Sequence, residues 1–258
     1  MIYPELVYKI RGCVFDVYNN LVGDWSEKVI EKILYDAFES QGMKVDRQVE
    51  FEIYFKENRV GLYRTDLIVE KKIIIELKIV PEIFPLHKAQ IISYLKVTGL
   101  PLGLLINFGG TRLFIKGYPN NVSNNRVLNI PFDIDKVNLS NDKKELIEPF
   151  LIISKEILET LGPGYFHQVY RRAFWYELKD QDRDFEIIKQ LELIYKGKTY
   201  ASKEVRFYKV NDLLISIVSV NKLDDRILYN LSKYKRHYNC KNGLIINFNS
   251  TVIDFRLL

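Results

Sequence analysis

A chain of 258 residues with 47% hydrophobic content is long enough for one large domain or two ordinary ones and apolar enough to bury a real core, which excludes a disordered tail. Lys and Arg exceed Asp and Glu by +5, which permits contact with phosphate backbones without demanding it. Two distant cysteines, Cys13 and Cys240, and three unclustered histidines exclude a disulfide framework and a zinc site, while no apolar run approaches the roughly 20 residues that span a bilayer and no signal-peptide pattern opens the chain, so a soluble cytoplasmic protein without a membrane partner is expected.

Leu6, Ile10, Val14 and Val17 share one face at helical spacing, so a helix is expected over 3–20. A second should follow from about 26 to 41, ending near Gly42. The period then changes to two: 45–55 and 62–69 read as strands, Lys71-Lys72 as a tight polar turn, and 73–79 as a third strand, together an antiparallel meander. Helical spacing returns over 83–98. Two further strands, 102–108 and 112–115, are separated by Gly109-Gly110.

The stretch 119–139 opens with PNNVSNN, shows no sustained period and reads as a connector. Beyond it the pattern starts again. GLLINF at 103–108 recurs as GLIINF at 243–248, an offset of 140 that also aligns Leu21 with Leu161, Lys56 with Lys196, Val80 with Val220 and Tyr94 with Tyr234. Such a period is too long for a solenoid unit, so it marks a tandem duplication. The expected boundaries are 1–118 for the first domain, 119–144 for a linker and 145–258 for the second.

The stretch YRTDLIVEKKIIIELK, residues 63–78, places charges where burial would penalise them. Asp66 heads one strand, Glu76 lies in the next, and Lys78 follows by two, which the strand period puts on the same face as Glu76. Two acids and an ammonium on one face suit a hard divalent cation bound for phosphodiester hydrolysis. Each has a plainer role to set against this. Glu27 stands three after Asp24, at capping-box spacing; Asp66 could end an exposed strand, and Glu76 with Lys78 could be a surface pair. His87 reads as a helix-surface or packing residue. Arg47, Arg64, Lys71, Lys72 and Lys88 read equally as solubilising charge or as a phosphate track.

An Asp with Glu-x-Lys starting ten positions later, followed by Gln90-x-x-x-Tyr94 on a helix, resembles the PD-(D/E)XK nuclease superfamily. The stretches at 10–21, 26–78 and 87–109 are similar to its small bacterial branch named for a GxxExxY motif, and Gln90 and Tyr94 resemble the helix motif of RecB-type nucleases. The resemblance implies two restriction-endonuclease-like α/β domains, each a central mixed β-sheet flanked by helices, packed as a pseudo-dimer. It also implies Mg²⁺- or Mn²⁺-dependent cleavage of nucleic acid, DNA foremost. By that resemblance the metal falls to Glu27, Asp66, Glu76 and the carbonyl of Leu77, water activation to Lys78, and supporting roles to Gln90 and Tyr94. The name motif is displaced: Asp24 and Ile30 stand where Gly and Tyr are wanted.

In the second repeat the offset sets His167, Arg206, Ser216, Val218 and Asn230 against Glu27, Asp66, Glu76, Lys78 and Gln90. Without carboxylates this copy is expected to be a pseudo-nuclease that binds or scaffolds, made more basic by Arg171, Arg172, Arg206, Lys233, Lys235 and Arg236. A non-catalytic nucleic-acid-binding or scaffold protein stays open as the alternative for the whole chain, as do a monomer and a homodimer.

Overall fold

Strand alternation and two kinds of helix decide the architecture of each copy. The computed structural model describes residues 2–120 and 130–258; the expected linker at 119–144 therefore lies partly, at 121–129, outside the described residues. Contacts divide the chain into two units, Met1–Tyr54 with Gly61–Arg126 and Gly164–Phe166, and Phe55–Val60 with Val127–Pro163 and His167–Leu258.

The first copy runs α1 (Pro4–Asn20), α2 (Glu27–Ser40), β1 (Val45–Arg47), β2 (Glu50–Phe55), β3 (Asn58–Arg64), β4 (Leu67–Val69), β5 (Ile73–Lys78), α3 (Pro85–Thr98), β6 (Leu102–Asn107) and β7 (Phe114–Pro119). Its sheet order is β1-β4-β5-β6-β7, with β5 and β6 parallel across the α3 crossover and the other pairs antiparallel. Successive strand residues point to opposite faces. Leu67, Val69, Ile73, Ile75, Leu77, Leu104 and Ile106 therefore share one face and pack with Ile10, Val14, Leu34 and Phe38 of α1 and α2. The other face carries Ile74, Glu76 and Lys78. It lies under α3, because a Cβ at Gly103, paired with Ile74, would stand 2.7 Å from Ile91 of α3.

The second copy repeats this plan with three strands, not five, ahead of its crossover helix. It comprises α4 (Asn141–Leu161), α5 (His167–Asp180), β8 (Glu186–Tyr195), β9 (Lys198–Val210), β10 (Leu213–Val218), α6 (Asp225–His237), β11 (Asn242–Asn247) and β12 (Asp254–Leu257), with sheet order β12-β11-β10-β9-β8. At the 140-residue offset α5, β10 and β11 coincide residue for residue with α2, β5 and β6. The motif shared by the copies has a structural purpose. Asn107 donates from Nδ2 to the Val80 carbonyl at 2.8 Å and accepts the Val80 N–H at 3.0 Å. Asn247 does the same to Val220, at 2.8 and 2.9 Å. A buried amide thus clamps the chain leaving the central strand, in both copies.

Three sequence expectations need correction. The strand expected over 45–55 is two, β1 and β2, because Gln48 takes a left-handed φ of 52°. The strand expected over 62–69 is also two, β3 ending at Arg64 and β4 starting at Leu67, so β2 and β3 form a separate two-stranded ribbon and the single meander is lost. The last strand is Phe114–Pro119, not 112–115, and a short 3₁₀ turn, Ile134–Lys136, sits within the expected connector. In the second copy β8 and β9 run on through these positions with register shifts near Ile188 and Leu193.

The glycine of the shared motif offers a direct check. Gly103→Ala would drive a methyl into Ile91, and overpacking of this kind costs about 1–3 kcal/mol. At Gly243 the nearest atom, in Leu231, is 3.3 Å away. Urea unfolding should show the larger loss for Gly103→Ala; equal losses would mean that α3 does not press on β6 as described.

Candidate active site

Ionisable groups buried at one strand end must compensate one another. β4 and β5 pair with Leu67 opposite Ile75 and Val69 opposite Ile73. Carried one step further, that register sets Asp66 opposite Glu76, and cross-strand partners share a face. Asp66 accepts the Leu77 N–H on Oδ2 at 2.7 Å. Lys78 donates from Nζ to Glu76 Oε1 at 2.5 Å and to the Leu77 carbonyl at 2.7 Å. Glu76 is 1% exposed, and its second oxygen, Oε2, is buried with no hydrogen-bond partner among the described residues.

The remaining expected residues stand at the edge of this group. Glu27, the first residue of α2, accepts the Ile79 N–H at 3.3 Å, one residue past Lys78. The N-cap is Ser26, which makes Glu27 the first helical residue and not the third, so it serves the end of β5 and not a capping box. Gln90 donates to the Tyr94 hydroxyl at 2.8 Å. His87 accepts the Phe84 N–H at the start of α3, a helix-end role. Asp66, Glu76, Leu77 and Lys78 are thus in direct contact, Glu27 lies just beyond, and Gln90 and Tyr94 bond to each other. Among the described residues no three His, Cys, Asp or Glu side chains gather into a metal-binding group.

The charges are under stress. Burial raises the Asp66 carboxyl to about 6, against the pull of the Leu77 N–H and Lys78. Burial, then the neighbouring Asp66, push Glu76 well above the usual carboxylate range. Burial would lower Lys78, but Glu76, Glu27 and Asp66 hold its ammonium above the ordinary lysine value. One ammonium faces two carboxylates, so the three retain a proton that two exposed acids would lose. An oxygen-only donor set with an unpartnered buried carboxylate oxygen fits a hard divalent cation.

Two residues escaped the sequence reading. Glu31 is buried and accepts from Arg47 at 2.9 Å and from the Gln48 amide. Gln48 in turn donates its N–H to the Asp66 carbonyl at 3.0 Å, so Glu31 steadies the bend that delivers Asp66. Its position four after Glu27, on the same helix face, was the available signal. Arg47 is accordingly held in a structural ion pair.

The second copy keeps the frame without the acids. Arg206 pairs with Glu204 at 2.5 Å, and Lys203 donates to the Tyr234 hydroxyl at 2.7 Å, where the first copy has Gln90 donating to Tyr94. Burial, helped by Arg171, lowers His167 to about 4.

Comparison with known proteins agrees with the repeat. A family model described as the PD-(D/E)XK nuclease superfamily matches residues 4–116 and again 144–256, two spans displaced by the same 140 residues. No curated protein matches the chain. Three solved chains match. One, the crystal structure of SSO0001, is 21% identical with a TM-score of 0.30, over 38% of this chain and 52% of that one. The chain thus spans about half the length of that solved relative, and so low a score carries no weight for the fold.

Proposed function

The chain belongs to the PD-(D/E)XK nuclease superfamily, twice over in tandem, and from that premise we propose that its first copy hydrolyses nucleic-acid phosphodiester bonds, DNA foremost, with Mg²⁺ or Mn²⁺. The observation that carries this reading is the opposed pair of half-buried Asp66 and buried Glu76, beside Lys78 at the carboxyl end of β5.

Asp66, Glu76 and the Leu77 carbonyl would hold the cation, with Glu27 as a further donor. When bound, the cation supplies Lewis acidity at the phosphate and lowers the pKa of the attacking water. Lys78 keeps a fixed positive charge where negative charge grows on the phosphoryl oxygens, and orients water. Gln90 and Tyr94 support this face from α3. One such site per chain makes a monomer a nicking or trimming enzyme; double-strand cleavage would take two chains or two encounters. The second copy acts as a binding or scaffolding pseudo-nuclease. Kinship with the GxxExxY branch and a cytoplasmic setting belong to the same reading; no helix among the described residues is long and apolar enough to cross a membrane.

Two observations favour a second reading, a nucleic-acid-binding or scaffold protein whose first site has lapsed: Glu27 bonds to the Ile79 N–H, and no three-acid group forms among the described residues. A cleavage assay on single-stranded, double-stranded and branched substrates separates the two. The nuclease reading expects products with Mg²⁺ or Mn²⁺, none with EDTA, and none from Glu76→Gln. Cleavage that survives both treatments, or wild type that cuts nothing, would reject it.

A further inference from the structure

Loss of catalytic acids would leave a neutral hollow if the second copy were merely decaying. The structure shows the opposite. At the 140-residue offset the four acids around the first site, Glu27, Glu31, Asp66 and Glu76, become His167, Arg171, Arg206 and Ser216, and Lys78 becomes Val218. Two carboxylates have become guanidiniums, and both line hollows. A cavity of about 420 Å³ is lined by His167, Arg171, Lys203, Arg206, Ser216 and Asn230 among others. A second, of about 400 Å³, shares Arg171 and Arg206 and adds Arg172 and Lys189.

These cations are under-neutralised. Among the described residues the acid lining either cavity is Glu204, which is 72% exposed at its side chain and paired with Arg206. Arg171 is half-buried; burial foremost, then Arg206 and Arg172, disfavour its charge. Lys203 is held in place by the Tyr234 hydroxyl. Crowded cations in a concave site with low-dielectric walls focus a positive potential and favour an anion. Guanidinium forks match phosphate oxygens in pairs, and a cavity of this size admits a phosphate with its sugar but not a duplex.

We propose that the second copy is a metal-independent receptor for a phosphate group of single-stranded nucleic acid, seated on Arg171 and Arg206 where the first copy gathers its acids. This deepens the binding role given to that copy and rests on the nucleic-acid reading of the chain, yet it does not need the first copy to cut. The receptor holds a strand by its backbone, so it should be indifferent to base sequence.

The test uses the full chain in excess EDTA with a fluorescent single-stranded oligodeoxynucleotide, read by anisotropy over a salt series, in parallel with the cleavage assay in Mn²⁺. Wild type should bind, and Arg171→Gln with Arg206→Gln should raise Kd by about tenfold or more. Each lost phosphate contact should flatten the log–log salt slope by about 0.7. Arg206→Gln alone, at a side chain 38% exposed, gives a smaller shift in the same direction and serves if the double variant does not melt cooperatively. No binding by wild type in EDTA, or a Kd within twofold of wild type in both variants, overturns the receptor even if cleavage is found. Arginine-dependent binding without cleavage overturns the nuclease reading and leaves the receptor standing.

Discussion

Asp66→Asn is expected to stop metal-dependent cleavage and, at the same time, to make the metal-free protein harder to unfold at neutral pH. The first effect follows from removing a carboxylate from the cation's donor set: a contribution of several kcal/mol, at 1.36 kcal/mol per decade, is at least about 10²-fold in rate. The second follows from burial. The folded carboxyl titrates at about 6, above its ordinary value of 3.8. Between those values the folded protein keeps a proton that the unfolded chain has released, so stability falls as pH rises through the window and the whole penalty is present by pH 7. It amounts to about 3 kcal/mol, 1.36 kcal/mol for each pH unit between 3.8 and 6. Asparagine removes the charge and keeps an acceptor for the Leu77 N–H. Thermal melts in EDTA should therefore show a higher Tm for the variant at pH 7.5 and a vanishing difference below pH 4. Added Mn²⁺ should raise the Tm of wild type and leave the variant where it was. A variant that melts lower in EDTA and still responds to Mn²⁺ would mean that Asp66 is neither strained nor a donor.

Lys78→Met tests the other half of the balance. It strips Glu76 of the ammonium on Oε1 while Asp66 stays opposite, and breaking a buried pair from one side costs roughly 3–5 kcal/mol. The loss depends on pH. Without its cation Glu76 is pushed higher still, so below that value the carboxyl is neutral in the fold and little is lost, while above it the folded state must carry an unpaired charge. Guanidinium unfolding should find the variant more weakened at pH 8.5 than at pH 6. Adding Glu76→Gln should recover much of the loss, because the orphaned charge is gone. Cleavage should fall by about 10²–10³-fold, the usual worth of one group that stabilises charge growing in the transition state. An equal stability loss at both pH values, undiminished in the double variant, would place the stability role of Lys78 in packing and not in charge.

Both results turn on details that the chain reveals unequally. The repeat was readable because Asn107 and Asn247 each tie off the central strand, and a clamp needing one buried amide at one place tolerates little change. Glu76 and Lys78 were readable as neighbours on one face because that follows from the strand period alone. The two bends at Gln48 and after Arg64 were not: the first is a non-glycine residue at positive φ, which has no reliable local signal, and both are held by partners sixteen to eighteen residues away. Glu27 could be read as a cap by spacing, and its partner turned out to be a backbone N–H at position 79.

Period, residue type and the 140-residue recurrence are carried by the covalent chain, so they settled the two-copy α/β plan and which copy holds the acids before any packing was known. Packing had to supply the rest. The antiparallel register set Asp66 against Glu76, α3 packed over the same sheet face at Gly103, and Glu31 anchored the bend that brings Asp66 in. The reason is physical: a side chain's direction is local, but its burial, and with it the stress on its charge, depends on what distant segments lay over it.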